Sequence, residues 1–125
     1  MKLQSIAPTS LLAVTAYDAT GISVGGRRLS HSFILTPQRL IEDWSPVSLD
    51  ALCATDLEVL AALNHPIVLL GTGLRQRFPA PTLLRPLIAR RIGVEVMDSF
   101  AACRTYNILM AEGREVAAAI IVEAS

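Results

Sequence analysis

The chain has 125 residues, of which 52% are hydrophobic, and it carries 11 basic and 11 acidic side chains. A chain of this length forms one domain with a core of its own, and a net charge of zero gives no general attraction to nucleic acid or to an anionic membrane. A domain of this size cannot easily bury this much apolar surface in its own core. We therefore expect a protein partner or a homo-oligomer.

The first twelve residues contain one lysine, no arginine and only a short apolar run. That composition predicts neither a secretory signal nor a transit peptide. No stretch is apolar over the roughly 18 residues that a membrane-spanning helix needs. The two cysteines, Cys53 and Cys103, form no CxxC motif. We therefore predict a reduced, cytoplasmic protein.

The first half of the chain predicts antiparallel strands. Residues 11–17 have strand composition, and a turn that ends in glycine precedes the return at residues 22–24, which is typical of a hairpin. Residues 28–35 alternate between apolar and polar side chains, which predicts one half-buried strand with His31 on its apolar face. A core or edge role is favoured for this histidine over a catalytic one. The strand is predicted to resume before Trp44, which we expect to pack between sheet and helix.

A short helix is predicted after Thr55, because Thr55 and Glu58 have the spacing of a capping box. Asn64 suits a left-handed residue at its end, and Pro66 starts an extended segment. Residues 67–70 are wholly apolar. They are therefore predicted to form a strand that is covered on both faces.

The next helix is predicted to begin near residue 84 or to kink at Pro86, which lacks an amide hydrogen, and to end at Gly93. Residues 75–91 contain five arginines and no acidic residue. This arginine-rich segment is either a solvated face or a site for an anion or an acidic partner.

The last quarter of the chain predicts a strand, helix and strand unit. Residues 94–97 are apolar, Asp98 or Ser99 can cap a helix, and Gly113 suits the left-handed position that ends it. Residues 116–122 form the second strand. The helix length suits a crossover between neighbouring strands, and right-handed crossovers are expected.

Arg104 and Asn107 are the polar exceptions on this otherwise apolar helix, and they share a face because they are three residues apart. A covered guanidinium or amide needs partners, and Glu95 and Asp98 are the nearest acidic candidates along the chain. The two residues either tie the helix to the edge of the sheet, which is the favoured interpretation, or bind a ligand.

These elements predict a single α/β domain over residues 1–125. It has three layers, with a central mixed β-sheet, helices on both faces and an N-terminal antiparallel hairpin. Ligands of open α/β sheets gather beyond the carboxyl ends of the parallel strands. We therefore predict a candidate crevice there, formed by Gly71, Thr72, Gly73, Arg75, Glu95, Asp98, Arg104 and Asn107.

No constellation specifies a reaction. Gln76 stands where the third glycine of a dinucleotide motif would fall, and no phosphate-binding loop or nucleophile elbow is present. The histidines and cysteines lack the spacing of zinc ligands. Cys103 shares an apolar helix face, so that a buried small side chain is favoured over a nucleophile. We predict no cofactor, no metal and no catalytic residue.

Four segments carry a family resemblance: Gly71-Thr72-Gly73, GVEVMD at residues 93–98, CRTYN within residues 102–107, and Glu112-Gly113-Arg114. They resemble a widespread family of small domains of unknown function that includes mitochondrial complex I assembly factor 3 and an adipogenesis-associated protein. The resemblance implies a three-layer α/β fold with a central mixed sheet. For the mitochondrial members it implies a non-enzymatic role in assembling the respiratory NADH dehydrogenase, through protein partners. Ser99 stands where threonine is expected.

The favoured function is therefore a non-catalytic interaction or assembly module that uses an apolar surface and the arginine-rich segment. The alternative is a small-molecule or anion-binding protein, or an enzyme, that uses the crevice at Gly71 to Gly73 and Asp98.

Overall fold

The structure is a computed structural model that describes residues 11–123, so the prediction about targeting signals falls mostly outside the described residues. The elements in chain order are β1 Val14–Asp18, β2 Gly21–Val24, β3 Arg27–Leu29, β4 Phe33–Leu35, β5 Leu40–Ile41, α1 Ala54–Leu63, β6 Ile67–Gly71, α2 Arg85–Ala89, β7 Gly93–Met97, α3 Ser99–Ala111 and β8 Val116–Ile120. Short 3₁₀ turns, Leu49–Ala51 and Pro81–Leu84, precede α1 and α2.

The central sheet has the strand order β5-β4-β8-β6-β7. Strands β8, β6 and β7 are parallel, whereas β4 runs antiparallel to β8 and to β5. Strands β1, β2 and β3 form a separate antiparallel sheet. The predicted mixed sheet and N-terminal hairpin are confirmed. The crossover from β7 to β8 does not join neighbours, because β6 lies between them.

Two apolar clusters lie on the two faces of the central sheet. Side chains of β6 alternate between them, with Val68 and Leu70 in the cluster that α1 and α2 cover, and Leu69 in the cluster that α3 and the small sheet cover. Every residue of β8 is buried, and its middle three are alanines. A strand covered on both faces reads as a continuous apolar run, as the sequence predicted for β6.

The single strand predicted over residues 28–35 is wrong, because β3 and β4 belong to different sheets. The chain turns between the layers, which leaves His31 exposed instead of on the apolar face. Ser32 is buried there, and its hydroxyl donates to Pro46 O and accepts from Val122 N. Trp44 is buried as predicted, and its Nε1 donates to Asp56 O at 3.2 Å.

The capping box was predicted at the wrong residues. Helix α1 begins at Ala54, and the main-chain N of Cys53 donates to the Asp56 carboxylate at 3.0 Å. The same carboxylate accepts from Ser45 Oγ at 2.8 Å, so a residue outside the helix helps to set where it starts. Asn64 ends α1 with a φ of 59°, as predicted.

Helix α2 has Pro86 in its first turn, which agrees with one of the two predicted starts. It ends at Ala89 and not at Gly93. Ile92 N returns to Leu87 O at 3.0 Å, and Arg91 adopts a φ of 59° between them. Gly93 is therefore the first residue of β7.

Candidate functional site

The loops that follow β6 and β7 meet at the carboxyl edge of the sheet. Thr72 N donates to Met97 O at 2.9 Å, and Ser99 N donates to Gly73 O at 2.8 Å. Thr72, Gly73 and Asp98 are therefore brought together, as expected for the ends of two adjacent parallel strands.

Ser99 holds this edge together. Its buried hydroxyl accepts from Gly73 N at 2.8 Å and donates to Ile121 O at 2.6 Å, so one side chain joins the segments that follow β6, β7 and β8. Sequence reasoning had considered Ser99 only as a cap. The cap is Asp98, whose Oδ1 accepts from Ala101 N at 2.8 Å.

Residues 71–73, which end β6 and begin the loop after it and include two glycines, are closely packed. A Cβ at Gly71 would lie 2.9 Å from Ser99 Cα. At Gly73, where φ is +102°, a Cβ would collide with the Glu123 side chain. The buried Thr72 hydroxyl donates to Arg75 O at 2.7 Å and accepts from Arg77 N at 3.2 Å. These two hydrogen bonds of Thr72 stabilise the loop that follows β6.

Little space remains at this edge. The cavity has a volume of about 20 Å³, which is room for about one water molecule. Its lining is Asp18, Ala19, Ile22, Gly73, Leu74, Ser99, Phe100, Ile121, Val122 and Glu123. Of the eight predicted crevice residues, only Gly73 lines it. A larger ligand would require the loop to move.

Arg104 and Asn107 contact β1, away from this edge. Arg104 Nη1 donates to the Tyr17 hydroxyl at 2.8 Å, and this hydrogen bond raises the pKa of Arg104. Asn107 pairs with the main chain of Val14, accepting from its N at 2.9 Å and donating to its O at 2.8 Å. The expected partners, Glu95 and Asp98, were wrong, because the second sheet packs against this face of α3.

The other two predicted residues are also apart from the edge cavity. Arg75 is exposed in the loop after β6, and Glu95 is exposed on β7. Glu95 lines a separate open groove of about 350 Å³ together with Ile67, Gly93, Val94, Leu109 and Arg114.

Phe78 is an exposed aromatic that sequence reasoning missed. Its side chain is 77% exposed, and Leu74 in the same loop is 56% exposed. A groove of about 210 Å³ adjoins it, lined by Leu49, Asp50, Leu52, Arg77, Phe78, Pro79, Ala80 and Leu83. The available signal was an aromatic residue in a long loop without helix or strand periodicity.

A larger concavity, about 510 Å³, lies at the amino ends of β6 and β8. Its lining combines apolar and polar side chains, among them Met110, Asn64, His65 and Arg114. His65 Nε2 is buried and has no hydrogen-bond partner within residues 11–123. This site was also missed, since His65 was assessed only as a zinc ligand or a catalytic base.

Cys103 is buried, as the sequence predicted. Burial raises the pKa of its thiol to about 12, so the thiolate needed for nucleophilic attack is scarce at neutral pH. Residues 11–123 contain no group of three or more histidine, cysteine, aspartate or glutamate side chains placed to hold a metal ion.

The fold and its carboxyl edge define a small three-layer α/β domain. The polar side chains of Thr72, Ser99 and Asn107 form hydrogen bonds between its segments. The chain belongs to the family described as proteins of unknown function (DUF498/DUF598), whose model matches residues 14–121. The predicted family membership is confirmed.

Three similar proteins illustrate the family. NADH dehydrogenase [ubiquinone] 1 alpha subcomplex assembly factor 3 of Bos taurus is 33% identical over 121 residues, which are 95% of this chain and 65% of that protein. The 13 kDa major membrane protein of Francisella tularensis is 30% identical over 93 residues, covering 74% and 76%. A Mth938-like domain from Bordetella pertussis, solved by NMR, has a TM-score of 0.83 at 34% identity, covering 100% and 94%.

The chain spans about two-thirds of the length of the bovine assembly factor, and less of several other relatives that carry the same name. Within residues 11–123, no helix has the length and hydrophobicity needed to cross a membrane.

Proposed function

We propose that this domain is a non-catalytic, cytoplasmic interaction module with an assembly-factor-like role, and that it works by binding another protein. The observation that carries the proposal is the similarity to assembly factor 3, which extends over 95% of the chain. The free cysteines Cys53 and Cys103 are compatible with a reducing compartment.

The proposed docking surface consists of Leu74, Arg75, Phe78 and the adjoining groove, and we name it the Phe78 surface. Exposed aromatic side chains beside a groove are typical anchors of protein interfaces, and arginine is enriched there as well. Arg77, next to Phe78, is engaged by Asp50 at 2.6 Å, which holds this part of the loop against the 3₁₀ turn before α1.

The occupant that we propose is an acidic segment of a partner protein with at least one large apolar side chain. Residues 75–91 contain five arginines and no acidic residue. An acidic partner would match their charge, and its apolar side chain would contact Phe78. Association should therefore be faster at low ionic strength.

The test is made in the native cells, with the tagged full-length protein in a deletion strain. Phe78→Ser and Arg75→Glu should each lower recovery of the partner and the level of the assembled respiratory NADH dehydrogenase. Ile108→Ser is the matched control, since Ile108 is 60% exposed on α3, on the other face of the central sheet. Normal complex levels in the deletion strain would contradict the assembly role.

The alternative is a small-molecule or anion-binding protein, or an enzyme, that uses the crevice at Gly71 to Gly73 and Asp98. Support comes from the convergence of the two loops at Thr72 and Ser99. A ligand present at 100 times its dissociation constant stabilises the native state by about 2.7 kcal/mol. Phosphate and dicarboxylates would be screened by thermal shift, and amide NMR would locate any ligand that binds. Shifts at residues 72–77 would support the crevice, whereas shifts at His65 and Arg114 would place the ligand in the 510 Å³ concavity.

A further inference from the structure

Strand β7 is an edge of the central sheet, because within residues 11–123 it pairs with β6 alone. Gly93 N donates to Pro66 O and Met97 O accepts from Thr72 N, both at 2.9 Å, so the odd-numbered residues direct their main-chain groups towards β6. The main-chain groups of Val94 and Val96 therefore point outward. Natural proteins usually cover or blunt such an edge, because it can pair with another strand.

Two main-chain groups along this edge are already used. Gln76 Nε2 donates to Val96 O at 3.2 Å, and Ile92 N donates to Leu87 O at 3.0 Å. Four groups remain without a hydrogen-bond partner within the described part of the chain. They are Ile92 O, Val94 N, Val94 O and Val96 N.

We propose that β7 pairs with β7 of a second copy of this chain, antiparallel about a two-fold axis at Val94, to form a dimer with one continuous ten-stranded sheet. In this register Val94 N of each copy donates to Val94 O of the other, and Val96 N donates to Ile92 O. All four free groups of both copies are then paired. The four free groups of one copy thus pair with the same four groups of the other copy, and the two groups already used, Ile92 N and Val96 O, face each other. A two-fold interface requires this self-complementarity.

Other registers fit less well. An axis at Glu95 would direct Val94 N at Val96 O, which already accepts from Gln76. It would also place Glu95 opposite Glu95 of the second copy, and like charges that face each other across strands are destabilising. An axis at Val96 would leave the two Val96 oxygens in the same conflict with Gln76.

Side-chain charge favours the same register. With the axis at Val94, Glu95 lies opposite Gly93 of the second copy, which has no side chain to obstruct it. Gly93 and Glu95 line the 350 Å³ groove together with Arg114, and Arg114 has no ion pair within residues 11–123. Glu95 of each copy can therefore enter the groove of the other and meet Arg114 there.

On the other face of the sheet, the register pairs Val94 with Val94 and Val96 with Ile92 of the second copy. Cross-strand pairs of β-branched side chains stabilise a sheet. A five-residue strand edge is a small contact, so we expect a weak dimer whose population depends on protein concentration.

Sedimentation velocity on the purified full-length protein, from about 10 µM to about 1 mM, should show a reversible monomer–dimer equilibrium. Amide exchange should show Val94 and Val96 protected at high concentration and exposed at low concentration. A monomer throughout this range, or exchange at Val94 that does not depend on concentration, would overturn the proposal.

Val94→Pro removes an outward donor at an edge position that tolerates proline, and should weaken the dimer by about tenfold or more. Val94→Thr keeps the amide and the branched side chain and is the matched control. Glu95→Arg and Arg114→Glu should each weaken dimerisation, and the double variant should restore it. A dimer that is insensitive to Val94→Pro, or that the double charge reversal does not rescue, would refute this register. Phe78→Ser should leave dimerisation unchanged, which distinguishes dimerisation through β7 from partner binding at the Phe78 surface.

Discussion

Asn107 forms two hydrogen bonds with the main chain of Val14, one at 2.9 Å and one at 2.8 Å, although 93 residues separate them in the sequence. The side-chain amide of Asn107 thus pairs with Val14, the first residue of β1, as a peptide group of a neighbouring strand would. This contact, together with Arg104 and Tyr17, holds α3 against the small sheet.

Asn107→Leu should destabilise the protein, because it leaves both main-chain groups of Val14 without their partner. The expected loss in the free energy of unfolding is about 2 kcal/mol. Asn107→Asp keeps the acceptor for Val14 N, and its protonated form also keeps a donor for Val14 O, so its loss should be smaller than that of Asn107→Leu at acidic pH and should grow as the carboxyl ionises. Urea unfolding monitored by circular dichroism measures both. An Asn107→Leu variant as stable as the wild type would contradict this role.

Ser99→Ala should also destabilise the protein, by about 1–3 kcal/mol, since it leaves buried main-chain groups of Gly73 and Ile121 unpaired. Ser99→Thr retains the hydroxyl and should cost less than the alanine variant. The measurement is thermal unfolding followed by calorimetry. If the two variants lose equal stability, the hydrogen bonds are not the cause.

Gly73→Ala combines two unfavourable effects, a φ of +102° and a collision with the side chain of Glu123. We expect a loss of about 1–3 kcal/mol. Glu123→Ala added to Gly73→Ala should recover the part due to the collision and leave the part due to the backbone. Full recovery in the double variant would show that the positive φ costs nothing.

Because the thiol of Cys103 is buried, we expect the stability of the protein to depend on pH in the alkaline range. Burial raises the pKa of its thiol from 9.0 to about 12. A raised pKa in the folded state contributes stability that is fully present below the unfolded pKa and is lost as pH rises towards the folded value. Stability should therefore fall between pH 9 and pH 12.

The Cys103→Ala variant should show a shallower decline in the free energy of unfolding over this range. Tyr106, whose pKa burial also raises, would account for part of the slope that remains. The measurement is urea unfolding at several pH values under reducing conditions. Identical slopes in the two proteins would contradict the prediction.

Sequence patterns predicted the elements whose signals are local. They include a cap at Asp98 or Ser99, of which the structure uses Asp98, the left-handed end of α1 at Asn64 and the apolar strand at residues 67–70. All three depend on neighbours within a few positions. The candidate site could be predicted only in part. Chain order brought Thr72 and Asp98 to one edge, but nothing local indicated that Arg104 and Asn107 face β1.

The amino-acid sequence by itself determined the cap at the start of α3, the left-handed end of α1, the covered strand at residues 67–70 and the family to which the chain belongs, because hydrogen bonds within one turn and side-chain periodicity are set by nearby residues. Only the tertiary structure decided that residues 28–35 divide between two sheets, that β7 is an edge and that Phe78 is exposed. Each of these depends on which distant segments pack together, and that is governed by the burial of the whole chain.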